Sequence, residues 1–596
     1  MLYTSNNSDC TYIFRRNHKF HPSQKEVLEN AVHSEETSVY ENFASKNHKD
    51  GLHVNELEHF FMTSAANGFL NIRDEFKTIK AGSANKPHEV AEMEENKNKN
   101  RYKNIYPFDD SRVVLKRSED SINASYIEGY AGRKTYIATQ GAKDRTIADF
   151  WQMVWEQNSS VIVMLCKLKE GSKVKCSAYW PVQASTVTHG NFTIKTTFED
   201  DLGWVITRRF YVTSSQENRK IFHFQLVSWP DHGVPTATSP LMYLRRMIKE
   251  ATDDEPNQPV IVHCSAGVGR TGTFIAMDIL FDQLDQTSVV DVPGAVTRMR
   301  ERRVDMVQTV DQYVLVYKLL VEHAVYKDTD ISAPDYLVLC RQSDWNHRIE
   351  NEFRLFSRFA FEKKTPATKQ DTNFSFTGGF NQMTSSKLES AWINATKLER
   401  ISSFSGNIFA ADGPAYANEA QFWNFVTDVN ASVLVCLETL EVDAVLRSKQ
   451  GTQSQIPNSD KILSVDKIQR NDGLVERKIT LSSTHKLMKL VHLHAEKWIS
   501  GRAPLDGTCL INAINKLQSL IEPNSAVIIY CRDGCIRTGT FIAVLNLIER
   551  LKSENRIDVF RTIKDLRDMR ENMVNNLITT YKEATLPTRG LAELQF

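Results

Sequence analysis

The apolar residues of this chain gather into short β-branched runs and longer stripes of helical period, and the two alternate. SVIVMLC (Ser160–Cys166) and PVIVHC (Pro259–Cys264) are brief and unbroken, the pattern of buried strands. After Arg270 the period changes, and in TGTFIAMDILFDQL the residues Phe274, Met277, Phe281 and Leu284 recur at helical spacing. Such alternation predicts an α/β fold, a twisted mixed sheet flanked by helices. Five residues between Cys264 and Arg270 then join a buried strand to a helix N-terminus.

The same order of elements occurs twice, about 270 residues apart. NIRDEF (Asn71–Phe76) is echoed by RIENEF (Arg348–Phe353), and SINAS (Ser121–Ser125) by WINAT (Trp392–Thr396). FWQMVWEQNSSVIVML from Phe150 answers to FWNFVTDVNASVLVCL from Phe422, Cys264 to Cys531, and DMV at Asp305 to NMV at Asn572. A period this long means duplicated domains rather than solenoid repeats. The expected organisation is a polar flexible leader (1–50), a first domain (51–326), a connector (327–336) and a second domain (337–596). Within the leader, SVYENF around Tyr40 resembles a phosphotyrosine docking motif, although so short a pattern recurs by chance.

A chain of 596 residues exceeds what one core organises, in keeping with two domains. Lys+Arg and Asp+Glu balance at 73 each, which gives no argument for a nucleic-acid or anionic-membrane partner. Nine cysteines without CxxC pairing indicate neither a disulfide framework nor a metal site, and a reducing compartment is expected. The start, MLYTSNNSDCTYIF, lacks a signal-peptide core, and no apolar run approaches the roughly 18 to 20 residues of a membrane span. The chain is therefore expected to be soluble.

Candidate chemistry centres on VHCSAGVGRTGTF (Val262–Phe274). Backbone N–H groups of Ser265, Ala266, Gly267, Val268 and Gly269 can turn inward, the glycines permit a tight path, and the helix dipole adds positive potential. Such surroundings lower a thiol from about 8.5 to roughly 3.5–7.5, so Cys264 is expected to be largely ionised at neutral pH. Arg270 can bind two oxygens of a phosphate at once. A thiolate attacking phosphorus needs an acid for the leaving oxygen, and Asp231 in SWPDHGVP sits in a loop punctuated by Pro and Gly. The bland alternatives are a structural cysteine and a turn aspartate.

In family order the first copy contains KNRYKNIYPFDDSRV (Lys99–Val113), YIATQG, FWQMVWEQ, KCSAYWP, WPDHGVP, HCSAGVGRTG and MVQTVDQY. With these seven motifs it resembles a classical protein tyrosine phosphatase. The tandem arrangement, preceded by a helix-like LHVNELEHFF, is similar to the cytoplasmic portion of receptor-type members. The resemblance implies Cys264 as nucleophile, Arg270 as phosphoryl holder, Asp231 as general acid and then base, and Gln308 as water positioner assisted by Gln312. It further implies Tyr102 stacking on the substrate ring, Glu170 bracing Arg270, and Lys175 in the same loop. No cofactor or metal is implied. Thr271 is expected to hydrogen-bond the sulfur, while His263 either tunes the thiolate or is a satisfied core histidine. Implied partners are phosphotyrosine-containing proteins, receptor tyrosine kinases among the candidates. The implied location is cytoplasmic, at the inner face of the plasma membrane if the chain is part of a longer receptor.

IYCRDGCIRTGTF (Ile529–Phe541) keeps Cys531 and Arg537 in register, but Arg532 and Asp533 replace Ser265 and Ala266. Ile536 replaces Gly269 and disfavours any positive φ that a glycine would supply there. WISGRAP puts Ser500 where the acid belongs, MVNN puts Asn575 in place of Gln308, and TNFSFTGG stands where KNRY would be. A degenerate second domain is expected, similar in its CRDG to that of the leukocyte common antigen. Its roles would be structural support, binding of a phosphorylated partner, or redox sensing through Cys531 and Cys535. The competing reading of the whole chain is a phosphotyrosine-binding scaffold without turnover.

Overall fold

The computed structural model describes residues 51–79, 86–132, 135–231, 233–252, 258–326, 329–358, 393–414, 419–438, 444–471, 473–484, 486–496, 498 and 508–575. Tyr40, Ser500 and the TNFSF stretch lie outside the described residues. The first half forms a nine-stranded mixed sheet from β1 (Arg112–Val114), β2 (Ser121–Glu128), β3 (Thr135–Thr139), β4 (Val161–Met164), β5 (Thr186–His189), β6 (Phe192–Asp201), β7 (Val205–Ser214), β8 (Glu217–Leu226) and β9 (Val260–His263). Its order is β1-β2-β3-β9-β4-β8-β7-β6-β5. β9 lies centrally, parallel to β3 and β4, and its four residues are all buried. As the β-branched runs predict, strands covered on both faces carry continuous apolar sequence.

The second half repeats the plan with β10 (Ala395–Lys397), β11 (Asn407–Asp412), β12 (Ala431–Cys436), β13 (Gln453–Gln455), β14 (Ile462–Asn471), β15 (Leu474–Ser482), β16 (Leu487–Ala495) and β17 (Ala526–Cys531). The order is β10-β11-β17-β12-β16-β15-β14-β13, so β17 takes the place of β9. Among the described residues, no helix is long and apolar enough to cross a membrane. The helix-like LHVNELEHFF stretch is helical, over Val54–Ala66.

Four helices matter for the site: α1 (Ser239–Thr252), α2 (Gly269–Thr287), α3 (Ile536–Glu554) and α4 (Val559–Met569). α2 follows β9 and α3 follows β17, each after a tight loop that begins at a cysteine. Phe274, Met277, Phe281 and Leu284 are buried on α2.

From residue 329 on, the connector carries more regular structure than its polar composition suggests. Ile331–Ser332 pairs with Arg556–Ile557, and Ser332 caps the helix Ala333–Leu339, with a proline in its first turn. Buried Asp330 pairs with Arg246 at 2.8 Å, Arg550 at 3.0 Å and Arg556 at 3.1 Å, which ties both copies to the connector. Apolar contact accompanies the charges: Tyr326 packs on Phe560 at 4.5 Å between ring centroids. Lys564 on α4 reaches Glu322 of the first copy at 2.5 Å and Asp568 at 2.8 Å. Burial works against its charge, but these carboxylates outweigh it and hold the amine above its ordinary range.

Under β9, the Tyr179 hydroxyl meets His223 Nε2 at 2.9 Å and His263 Nε2 at 2.8 Å. The His263 Nδ1 atom stands 3.2 Å from the Cys264 carbonyl. His263 is thus a satisfied core histidine that touches the nucleophile's backbone rather than its sulfur. Burial holds His223 well below its ordinary range and lowers His263 to about 4. A group depressed in the fold stays neutral there while the unfolded chain takes up a proton. Its contribution to stability is therefore whole above pH ~6.5 and drains as pH falls towards the folded value, at about 1.4 kcal/mol per pH unit. Denaturation midpoints measured between pH 7 and pH 5 should fall more steeply for the wild type than for His263→Gln. Equal slopes would contradict the assignment.

Candidate active site

The loop between Cys264 and Arg270 is held from behind. Its carbonyls are engaged one after another: Ser265 O accepts from Gly141 N at 3.0 Å, and Ala266 O and Gly267 O accept from Arg303 at 3.0 and 2.8 Å. Val268 O accepts from Gly272 N at 2.9 Å and Val307 N at 3.2 Å. Four successive carbonyls of the loop are thus satisfied from outside it or from the helix that follows. Gly267 N donates to Cys264 Sγ at 3.3 Å. Gly267 has φ +73°, and a Cβ there would lie 2.2 Å from Thr139 O, so both conformation and space demand glycine.

Gly269 is different. It is not among the positive-φ glycines, so a positive φ is not what Ile536 would have to give up there. What it supplies is room, since a Cβ would stand 3.0 Å from the Gln312 amide nitrogen and 3.4 Å from Gln308 Oε1. The loop and the two glutamines thus meet here. Gln312 Oε1 accepts from Gln308 N at 2.9 Å and shapes the exposed loop that bears Gln308. The expected bond from Thr271 to the sulfur is not made. Its hydroxyl is buried and among the described residues has no hydrogen-bond partner, and the Gly267 amide serves the sulfur instead.

Arg270 joins the cradle to the acid-bearing loop. It donates to Glu170 at 2.5 and 3.1 Å, to Leu165 O at 3.2 Å and to Pro230 O at 2.9 Å, one residue before Asp231. Burial opposes both charges, yet the pairing holds Glu170 below its ordinary range and Arg270 above its own. Lys175 Nζ lies 3.6 Å from Glu170. Asp231 is exposed, and buried Trp229 anchors its loop. At the rim the Tyr102 hydroxyl stands 2.8 Å from Ser265 Oγ, which in turn donates to Lys175 O at 3.2 Å. Arg101 fastens KNRY to the YIATQG loop through Gly141 O and Ala142 O. Contacts thus link Tyr102, Ser265, Lys175, Glu170, Arg270 and Pro230 in one chain, and Gly269 meets Gln312 and Gln308 beside it.

The second cradle is built alike and filled differently. Gly534, at φ +59°, takes the Gly267 position, and Arg570 takes that of Arg303, donating to Gly534 O at 3.0 Å. Asp533 Oδ1 accepts from Cys535 N at 2.9 Å and Ile536 N at 3.1 Å, and it takes the Cys531 thiol at 3.1 Å. Glu438 accepts from Arg532 N at 3.2 Å and stands 3.6 Å from Arg537, whose guanidinium also donates to Leu437 O at 2.9 Å. Burial first, with Asp533 adding to it against the bond from Thr538, pushes the Cys531 thiol up. Cys535 is pushed to about 11, chiefly by burial. Asn575 is exposed at the end of the described segment.

Sequence reasoning missed Arg303, Arg570 and Glu438. Both arginines stand two residues before the DMV and NMV echoes. Their partners Asn123, Ser125, Asn394 and Thr396 belong to SINAS and WINAT, so the repeated motifs carried the signal. Glu438 replaces Cys166, and nothing in its neighbourhood marks it as a site residue. Among the described residues, no cluster of His, Cys, Asp and Glu could hold a metal ion.

A family model described as protein-tyrosine phosphatase matches residues 96–322 and 380–582, one segment in each copy. Receptor-type tyrosine-protein phosphatase alpha of Homo sapiens is 32% identical over 562 residues, covering 88% of this chain and 70% of that protein. Receptor-type tyrosine-protein phosphatase epsilon of Mus musculus is 32% identical over 565 residues, covering 88% of this chain and 80% of that protein. Receptor-type tyrosine-protein phosphatase F of Danio rerio is 31% identical over 553 residues, 87% of this chain and 29% of its own length. With the cysteine–arginine cradle present twice and both copies matched, the chain belongs to the protein-tyrosine phosphatase family, in its tandem, receptor-type form.

Proposed function

We propose that the first copy hydrolyses phosphotyrosine in proteins through a phosphocysteine intermediate and that the second copy does not turn over. Cys264 Sγ attacks phosphorus as a thiolate, and the bond to the tyrosyl oxygen breaks while Asp231 gives that oxygen its proton. Arg270 and the inward amides hold the phosphoryl oxygens through the transition state. In the second step Gln308 positions a water, Asp231 takes its proton, and the sulfur–phosphorus bond breaks to release inorganic phosphate. A wall containing Tyr102 makes the slot deep enough for an aryl ester and too deep for phosphoserine. By the same reading the substrates are phosphotyrosine-containing proteins, receptor tyrosine kinases among them. The chain would act in the cytoplasm, at the inner face of the plasma membrane where it is part of a longer receptor.

The observation that carries this reading is the link Glu170–Arg270–Pro230, which ties the phosphoryl cradle to the loop of Asp231. In the second copy, Asp533 on the cradle amides supports a loss of phosphate binding. Glu438 beside Arg537 argues the same way.

In the whole chain Cys264→Ser should abolish turnover of a phosphotyrosine peptide while leaving its binding measurable; residual turnover at more than a trace would locate activity in the second copy. Cys531→Ser should leave the rate within about twofold, as expected of a group outside the chemistry. Asp231→Ala should lower kcat about 10²- to 10⁴-fold, with KM changed far less. An unchanged kcat would remove Asp231 from the mechanism and favour the binding scaffold.

A further inference from the structure

The loop carrying Asp231 ends where α1 begins, and the amides of Thr236, Ala237 and Thr238 lead into that helix. Two carboxylates from the second copy provide acceptors here. Glu399, just after β10, accepts from Thr236 N at 3.2 Å through each oxygen and from Ala237 N at 3.1 Å. Asp565 on α4 accepts from Thr238 N at 3.2 Å and from the Ser239 hydroxyl. Lys564 donates to Thr238 Oγ1 at 2.7 Å, and Lys318, paired with Asp568 at 2.8 Å, donates to Thr236 O at 3.2 Å. Four successive residues of the loop's downstream end are thus held from the other copy, five to eight positions beyond the acid.

The copies share the glutamate and diverge on α4. By the repeat register, Glu399 corresponds to Glu128, which pairs with Arg302 on the surface of the first copy. Lys564 and Asp565 correspond to Thr297 and Arg298. On α4 the second copy thus carries charges that the first lacks, and together with the shared glutamate they meet the acid loop of its neighbour.

We propose that the second copy is a positioning element of the first active site, its Glu399 and Asp565 fixing the downstream hinge of the acid loop and so the place of Asp231 over the leaving oxygen. This rests on the reading of Asp231 as general acid. The upstream half of the loop is anchored within the first copy by Trp229 and by Arg270 on Pro230 O, whereas in the downstream half the amides of Thr236, Ala237 and Thr238 go to the second copy, with Lys318 and Glu322 of the first taking Thr236 O and the Thr238 hydroxyl. Carboxylates at a helix start are favoured electrostatically as well as by hydrogen bonding.

The test compares kcat/KM for phenyl phosphate, a poor leaving group, with that for 4-nitrophenyl phosphate, a good one, in the whole tandem chain. Loss of proton donation makes the ratio depend on the leaving group, whereas general damage to the cradle lowers both rates together. Glu399→Ala should reduce phenyl phosphate turnover about three- to tenfold, from loss of charge-assisted bonds, and 4-nitrophenyl phosphate turnover by less than about twofold. Glu399→Gln, which keeps an acceptor oxygen, should recover most of the difference. The rate of Cys264 alkylation by iodoacetate should not change. Glu399 is only half-buried, so its truncation spares the core. Asp231→Ala in the same assay separates the two claims: if it leaves the ratio unchanged, the general-acid reading fails. If it shifts the ratio while Glu399→Ala does not, or if Glu399→Ala lowers both substrates equally, the positioning role is overturned.

Discussion

Everything in this protein turns on a peptide loop that faces its amides inward at the start of a helix. Such an arrangement is unstable unless its carbonyls are satisfied behind it and a negative group answers the amides in front. Arg303 and Arg570 meet the first need, each buried and each holding the carbonyl of the left-handed glycine. Because both copies share this device, both keep the strand, glycine and helix that frame it. Their difference lies in what answers the amides.

In the first copy the nearest anion-capable group is the cysteine sulfur itself, and Arg270 is turned towards the acid loop by Glu170. On the proposed reading a phosphoryl group completes the charge balance, and catalysis follows from the geometry without a large rearrangement of the cradle. In the second copy two changes, Asp533 and Glu438, bring the negative charge permanently into the protein. The loop is then stable without a ligand. Glu438 stands against its arginine, and burial, with Asp533 adding to it, pushes its thiol up, which suits a domain whose proposed work is done through its surface against the neighbour.

Much of this was legible in the residues. The apolar runs gave the central strands, the period of TGTFIAMDILFDQL gave α2, and the spacing of Cys264 and Arg270 implied an anion cradle before any coordinates. Asp533 was readable as a carboxylate intruding on a dianion site. The reason for Gly269 was left open, because sequence does not distinguish a glycine needed for its φ from one needed for its missing Cβ. Only the nearness of Gln312 and Gln308 decides that. Arg303 stands in the charged run RMRERR, where a buried arginine looks like any solvated one. Glu399 was beyond reach for another reason: its partners lie 162 and 163 positions away in the other copy, and no local pattern encodes a contact between domains.

The contacts between copies also bear on the buried charges of the second copy. Lys564, Asp565 and Asp558 are costly to bury, and partners on α4 itself and across the boundary offset part of that cost. The central claim is that one cradle is open to an oxyanion and the other is closed by its own carboxylate. A crystal structure of the tandem chain soaked with tungstate tests it most directly. The expected result is one oxyanion, above Cys264 and held by the amides of residues 265–270 and by Arg270, with Asp533 still on the amides of Cys535 and Ile536. An oxyanion in the second cradle, or none in the first, would contradict it.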